Sequence, residues 1–168
     1  MRLANLLTTA TLALLALAPG AIAQQPAPSS VEISQAWSRA TPAGAPVGVG
    51  YVTLTNHGGE ADRLIGGSTE IADRIEVHEM SMDNGVMKMR ELPDGLEVKP
   101  GATAQMKPGG DHLMLVGLKR SLREGERFKA QLEFAKSGKA EVEFVVQGLG
   151  AVKAPEAAAA ASSQHHHH

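Results

Sequence analysis

The sequence predicts a single all-β domain built as an antiparallel β-sandwich, and two observations lead to this fold class. Short segments rich in Val, Ile, Leu and Thr recur between turn residues, and several alternate polar with apolar residues. No segment keeps a sustained helical period. A chain of 168 residues has room for one ordinary domain.

Ten strands are expected in the domain. They are Val31–Arg39, Val49–Thr55, Arg63–Gly66, Arg74–Met80, Val86–Glu91, Leu96–Val98, Thr103–Met106, His112–Leu118, Arg127–Phe134 and Ala140–Val146. The last two alternate most clearly, with every second residue of Phe128–Phe134 apolar. Such alternation is typical of antiparallel strands that have one core face and one solvated face. Trp37 and Tyr51 are predicted to be core aromatics.

The composition changes along the chain and divides it into four parts. Residues 1–23 read as a signal peptide, because Arg2 precedes an apolar run and Ala21-Ile22-Ala23 is a small-x-small cleavage pattern. A polar lead-in (24–30), the folded domain (31–147) and a flexible Ala- and His-rich tail (148–168) follow. We therefore expect a periplasmic monomer, cleaved after about Ala23, with no stable membrane insertion after cleavage.

Overall composition excludes several classes of function. Acidic residues (18) and basic residues (16) nearly balance, so the net charge of -2 gives no reason to expect a nucleic-acid partner. The absence of cysteine excludes disulfides, thiolate metal sites, cysteine nucleophiles and lipid attachment to cysteine. The sequence contains no recognisable nucleophile–base pair. His57 is predicted to lie in a turn, and Glu76 and Glu79 are predicted to be solvated. The sequence therefore does not predict an enzyme.

Methionine is concentrated in one part of the sequence. Apart from Met1, every methionine lies between residues 80 and 114: Met80, Met82, Met87, Met89, Met106 and Met114. His78 and His112 each precede one of these methionines by two residues, so each pair points an imidazole and a thioether to the same face of a strand.

Asp83-Asn84-Gly85 predicts a tight hairpin between two of these strands, because Asn-Gly suits the positive φ angles of a type I′ turn. The resulting register pairs Met82 with Met87, Met80 with Met89, and Glu79 with Arg90. One face of the hairpin then carries His78 and the four methionines, and the other face carries the Glu79–Arg90 ion pair.

Imidazole and thioether together favour Cu(I), because thioether is a soft neutral donor that offers little to Zn²⁺, Mg²⁺ or Ca²⁺. Core packing is the competing interpretation for each methionine, and it is our expectation for Met82, Met87 and Met106. A β-sandwich interaction module with a Met-rich contact patch and no metal remains the alternative function.

At these residues the chain resembles the periplasmic copper chaperones of the PCu(A)C family. Ten residues separate His78 from Met89, as in the family motif, and His112-Leu113-Met114 supplies its second half. The 22 residues between Met89 and His112 are one more than the family pattern, and the turn Leu92–Leu96 is the expected place for the extra residue. Blocks around Trp37 and Tyr51, and the stretch Lys107–Leu115, extend the resemblance over residues 31–146.

The resemblance implies a cupredoxin-like sandwich of the Greek-key type that binds Cu(I) through His78, Met89, His112 and Met114. It implies delivery to a copper-accepting protein, such as an oxidase subunit that holds a CuA centre or another assembly factor. Candidate secondary ligands are Met80 and the C-terminal His165, His166, His167 and His168, where a native His run would gather Cu(II) and an expression remnant would not.

Overall fold

The computed structural model describes residues 30–156 and contains ten strands. They are β1 (Val31–Arg39), β2 (Val47–Asn56), β3 (Asp62–Thr69), β4 (Arg74–Asp83), β5 (Val86–Glu91), β6 (Leu96–Val98), β7 (Thr103–Gln105), β8 (His112–Val116), β9 (Arg127–Phe134) and β10 (Gly138–Gln147). The predicted all-β class and its ten strands are confirmed. The predicted signal peptide and the His run at residues 165–168 lie outside the described residues.

The strands join into one sheet that curls until the strands next to its two ends pair with each other. Its order is β5-β4-β8-β2-β1-β10-β9-β3-β6, with β7 paired to β2 and an additional pairing of β3 with β4. All pairings are antiparallel except that of β1 with β10, which are parallel. These two strands come from opposite ends of the domain and need no hairpin, so their direction is free to differ. The curled sheet encloses the core between its facing walls.

Large apolar side chains fill the interior, as the alternation predicts. Leu54, Leu132 and Phe144 are fully buried, and the Phe128 and Phe144 rings stack with centroids 5.1 Å apart. Trp37 and Tyr51 are also buried, and their ring centroids lie 4.5 Å apart. The prediction that both are core aromatics is confirmed.

Strand β8 has a core side and a second side that the core does not use. Leu113 and Leu115 have no exposed surface and belong to the hydrophobic core. His112 and Met114 alternate with these leucines and therefore point to the opposite face of the sheet. A slip of one residue would move both leucines out of the core, so their burial sets where His112 and Met114 point.

The C-terminal side differs from the expectation that a flexible tail begins at Gly148. Arg39 Nε donates a hydrogen bond of 2.7 Å to the Ala151 carbonyl, and Ala151 and Ala154 pack against the core. Small side chains and backbone hydrogen bonds hold this segment, and large apolar residues are not required. Within residues 30–156, no helix has the length and apolar character needed to cross a membrane.

A buried carboxylate ties the β9–β10 turn to β3. Asp62 is 3% exposed and accepts hydrogen bonds from the backbone N–H groups of Lys136 (2.8 Å) and Ser137 (2.9 Å). Burial raises the pKa of Asp62, but the hydrogen bonds from Ser137, Lys136 and Arg63 outweigh it and hold the pKa below its ordinary value.

We predict that Asp62→Asn lowers the free energy of unfolding at neutral pH by about 1–3 kcal/mol, because it removes a charge-assisted acceptor from buried donors. Since the folded-state pKa is the lower one, the carboxylate stabilises the protein above the unfolded pKa and loses that effect as pH falls through the folded pKa. Urea denaturation should therefore show a difference in the free energy of unfolding between the two proteins, and this difference should become smaller below the ordinary Asp pKa of 3.8. Asp94→Asn, at an exposed position, is the control; equal midpoints for Asp62→Asn and the parent protein at neutral pH would contradict the prediction.

Candidate metal centre

Three neighbouring strands, β5, β4 and β8, carry the predicted ligands. His78 of β4 lies directly opposite His112 of β8, and Met80 of β4 lies opposite Met89 of β5. The core side chains Ile75 and Val77 alternate with this set and point the other way. The ligands therefore share the face of the sheet that the core leaves free.

The β4–β5 hairpin has the predicted register. Met82 pairs with Met87, Met80 with Met89 and Glu79 with Arg90, and Asn84 and Gly85 have φ angles of 49° and 79°. On the opposite face, Arg90 Nε donates a hydrogen bond of 2.9 Å to Glu79 Oε1. The predicted turn, its register and the two faces of the hairpin are confirmed.

The side chains of Met89 and His112 contact each other over the ligand face of β4. Met89 Sδ lies 3.3 Å from His112 Nε2, although β5 and β8 are two strand spacings apart, or about 9.5 Å. Only a long side chain can cover that gap. His112 Nδ1 donates to the Gly110 carbonyl at 3.0 Å, so in the neutral imidazole Nε2 carries the lone pair that faces the sulfur. In that state two electron-pair donors lie in contact with no proton between them.

The His78 imidazole is fixed in the opposite tautomer. Its Nε2 lies 2.9 Å from Glu76 Oε2, and because an ionised carboxylate only accepts, Nε2 must carry the proton. His78 Nδ1 is buried and is the one such side-chain N or O atom without a hydrogen-bond partner in residues 30–156. The His78 and His112 rings lie 5.7 Å apart between centroids. When the rings are neutral, each of the two neighbouring imidazoles therefore keeps one nitrogen lone pair.

Glu76 is the residue that the sequence analysis missed. It was predicted to be solvated, but its side chain is only 17% exposed, and its Oε1 accepts a hydrogen bond of 2.6 Å from Arg74 Nε. The hydrogen bond from His78 holds the pKa of Glu76 below its ordinary value. Its position two residues before His78 on the same strand puts it on the ligand face, and that spacing could have identified it. A carboxylate that orients an imidazole through its far nitrogen is typical of metal sites.

Met114 and Met80 complete the soft donors on this face. Met114 is 7% exposed, lies two residues beyond His112 and pairs with Glu76, which places it diagonal to His78. Diagonal neighbours across an antiparallel pair are about 7–8 Å apart, within reach of a methionine. Met80 is partly buried beside His78. The sheet does not separate any of the four predicted ligands from the others.

The packing prediction is correct for one of three methionines and wrong for two. Met106 is 2% exposed and belongs to the core, whereas Met82 and Met87 are 64% and 44% exposed. Strand β8 begins opposite His78, so the hairpin beyond that point has no β8 neighbour to pack on. The tip of the hairpin therefore extends away from the core with its thioethers in solvent.

Carboxylates lie on the same side as His78. One oxygen each of Glu76 and Glu91 and one nitrogen of His78 lie within 4.8 Å of one another. Asp111, beside His112, has a raised pKa, because burial and the nearby Glu79 charge outweigh the effect of His112. These groups give the centre a negative surrounding that favours a cation.

His57 lies in the exposed loop after β2, as predicted, and pairs with Glu32 at 2.8 Å.

The geometry suits a soft metal ion. Metal–nitrogen and metal–sulfur bonds of about 2.0 and 2.3 Å in a tetrahedral arrangement hold such donors roughly 3.5 Å apart, close to the observed Met89–His112 contact. The nitrogen lone pairs of His78 and His112 and the thioether sulfurs are neutral donors that need no deprotonation once these tautomers are set. The Met89–His112 pair already has a separation that one metal ion could bridge.

Comparison with known proteins finds a family model that matches the folded domain and curated relatives from two bacteria. A family model described as LpqE-like, a lipoprotein family, matches residues 31–146. A protein of Leifsonia xyli subsp. xyli, provisionally named a lipoprotein, is 32% identical over 105 residues, which are 62% of each chain. An uncharacterised protein of Rickettsia prowazekii is 29% identical over 112 residues, which are 65% of this chain. The chain spans 62% of the length of each of these curated relatives.

Solved structures identify the fold as that of PCuAC domains, which are cupredoxin-like. The copper-bound PCuAC domain from PmoF2 superposes with a TM-score of 0.61 at 24% identity, covering 73% of this chain and 96% of that one. The solution structure of CuI-DR1885 from Deinococcus radiodurans has a TM-score of 0.57 at 27% identity, covering 75% of this chain and 83% of that one. The predicted fold class is confirmed in its architecture.

The two hydrogen bonds predict opposite tautomers for the two imidazoles. Long-range ¹H–¹⁵N spectra of the metal-free protein, at a pH where both rings are neutral, should show His78 protonated at Nε2 and His112 at Nδ1. In Glu76→Gln, whose amide is a weaker acceptor, the His78 signals should move toward a mixture of tautomers while those of His112 stay in place. A fixed Nδ1–H tautomer of His78 in the parent protein would contradict this geometry.

Proposed function

The chain belongs to the LpqE-like family, and we propose that it is a periplasmic copper carrier that binds Cu(I) through His78, Met89, His112 and Met114. It passes the ion to a partner protein by ligand exchange and is not an enzyme. One observation carries the proposal: the buried His78 Nδ1 has no hydrogen-bond partner, and its ring lies beside the His112 imidazole, whose Nε2 is 3.3 Å from the Met89 thioether sulfur.

The chemistry of the donor set selects the ion. Two imidazoles and two thioethers form a neutral, soft set that suits Cu(I) and gives little to hard cations such as Mg²⁺ or Ca²⁺. The name of the Deinococcus radiodurans structure, at 27% identity, states that it contains Cu(I). That similarity supports extending copper binding to this chain, whereas the lower identity of the PmoF2 domain supports the fold alone.

Unequal burial of the ligands suits a protein that releases its cargo. His112 and Met114 are buried, whereas Met89 is 53% exposed. An acceptor can therefore replace Met89 first, while the buried ligands still hold the ion. We propose a copper-accepting protein as the partner, such as the subunit of a haem-copper oxidase that holds the CuA centre or another assembly factor.

Export to the periplasm is part of the proposal. The predicted signal peptide and a family named for lipoproteins both support export. This sequence contains no cysteine to which a lipid could be attached, so we propose that the protein is released into the periplasm without a lipid anchor. The His run at residues 165–168 is proposed to gather Cu(II), for which imidazole is a suitable ligand.

The alternative is an interaction module that uses its methionines as an apolar contact patch. The exposure of Met82, Val86, Met87 and Met89 favours a contact role for the hairpin. It does not explain why a buried imidazole nitrogen lacks a partner, since buried polar atoms are normally hydrogen-bonded. A metal at this nitrogen would supply the missing partner.

Anaerobic titration with Cu(I) against a competing chelator should give one tightly bound ion per chain. Met89→Ala and His112→Ala should each weaken binding by about 10- to 100-fold or more, since each removes a direct ligand and outer-shell changes alone have effects of this size. Removing Gln164–His168 should leave this Cu(I) site unchanged. If the parent protein binds no stoichiometric Cu(I), the carrier function is wrong and the contact-patch interpretation is favoured.

Glu76→Gln should weaken Cu(I) binding by about 10-fold, because the imidazole loses its charged orienting partner and part of its basicity. Glu97→Gln is a matched control, since Glu97 accepts a hydrogen bond from Arg63 on a different strand pair. The same chelator competition measures both variants. Equal affinities in the two variants would show that Glu76 does not support the ligand.

A further inference from the structure

Four thioethers on the β4–β5 hairpin form two rungs of a ladder. The inner rung is Met80 with Met89, and the outer rung is Met82 with Met87; in each rung the two residues are cross-strand partners on the ligand face. Partners in an antiparallel pair have Cβ atoms about 4.5–5.5 Å apart, so their sulfurs can reach one ion. The rungs are two residues, or about 7 Å, apart along the strands. The ladder therefore leads from the tip of the hairpin to His78 and His112.

The outer rung lies outside the hydrophobic core of the described chain. Met82 and Met87 are 64% and 44% exposed, and neither belongs to the core. A leucine would provide similar apolar area at these positions, so what methionine adds is its sulfur. The inner rung connects directly to the buried centre, because Met89 Sδ lies 3.3 Å from His112 Nε2.

We propose that Met82 and Met87 form a second, weaker Cu(I) site that receives the ion from solvent and passes it along the ladder. This inference rests on the proposed function, since it adds a loading path to the same centre. The ion moves from Met82 and Met87 to Met80 and Met89, and then to the two imidazoles. At each step a new copper–sulfur or copper–nitrogen bond forms and a copper–sulfur bond breaks. Copper stays Cu(I), and no proton moves because thioethers are neutral.

The donor sets explain the direction of transfer. The outer rung offers two solvent-exposed thioethers, whereas the inner centre adds two imidazoles with preset lone pairs and a buried thioether. More donors that are already oriented bind more tightly, so transfer from the outer rung to the inner centre is favourable. The outer rung therefore affects how fast the centre fills and has little effect on how tightly it holds the ion.

The test compares the full-length double variant Met82→Leu/Met87→Leu with Met106→Leu, which removes a sulfur from the core instead. Met-to-Leu exchange keeps apolar volume, so both variants should fold, and circular dichroism checks this. Stopped-flow loading from a Cu(I)–thiol complex should slow by about tenfold in the double variant and stay unchanged in Met106→Leu, a range typical of on-rate changes among related variants. Equilibrium Cu(I) affinity should stay within about twofold in both variants.

Ag(I), a soft monovalent ion that does not change oxidation state, tests the outer rung itself. In protein labelled with ¹³C at the methionine ε-methyl groups, a second equivalent of Ag(I) should shift the Met82 and Met87 signals. The same shifts should occur in His112→Ala, so Ag(I) binding at the outer rung can be tested even if the inner centre does not bind copper. Unshifted Met82 and Met87 signals, or unchanged loading in the double variant, would overturn the relay. Loss of Cu(I) binding in the parent protein would instead refute the proposed function.

Discussion

The alternation of side chains between the two faces of strand β8 is the constraint on which the metal centre depends. Leu113 and Leu115 are fully buried in the core, and this burial forces His112 and Met114 to the opposite face. Removing a leucine side chain from such a position typically lowers the free energy of unfolding by about 2–5 kcal/mol. The packing that stabilises the core therefore also fixes the orientation of the ligands. The register with β4 then brings His78 opposite His112. A metal centre thus forms on the second face of a strand whose first face stabilises the fold.

Hydrogen bonds to the far nitrogens convert this placement into a ligand set. Gly110 accepts from His112 Nδ1 and Glu76 accepts from His78 Nε2, so in the neutral rings His112 Nε2 and His78 Nδ1 keep their lone pairs. The nitrogens are therefore oriented before any ion arrives, and little conformational entropy remains to be lost on binding. Met89 provides the adjustable part, because it approaches from an edge strand and keeps half of its surface in solvent. A hydrogen-bonded pair of imidazoles beside a half-exposed thioether suits an ion that must be held and later transferred.

Much of this arrangement is predictable from local sequence, and the exceptions have physical causes. Asn84-Gly85 defines the hairpin register because few residue pairs adopt two positive φ angles, and His-x-Met spacing defines a shared face because side chains alternate in a strand. The role of Glu76 could not be predicted from its residue type, because a carboxylate on a strand usually faces water. Its contact with His78 shows that role. The exposure of Met82 and Met87 depends on where β8 begins relative to β4, and strand pairing between distant segments is not visible in local patterns. The packing of Ala151 and Ala154 likewise depends on a long-range hydrogen bond from Arg39.

X-ray absorption at the copper edge counts the atoms bound to the ion and therefore tests the proposed ligand set. For the full chain with one equivalent of Cu(I) under anaerobic conditions, we predict a mixed shell of imidazole nitrogen at about 2.0 Å and thioether sulfur at about 2.3 Å. The sulfur contribution should fall in Met89→Ala, and the nitrogen contribution should fall in His112→Ala. A shell of nitrogen and oxygen alone would place the ion at the carboxylates or the His run and would contradict a centre built from His78, Met89, His112 and Met114.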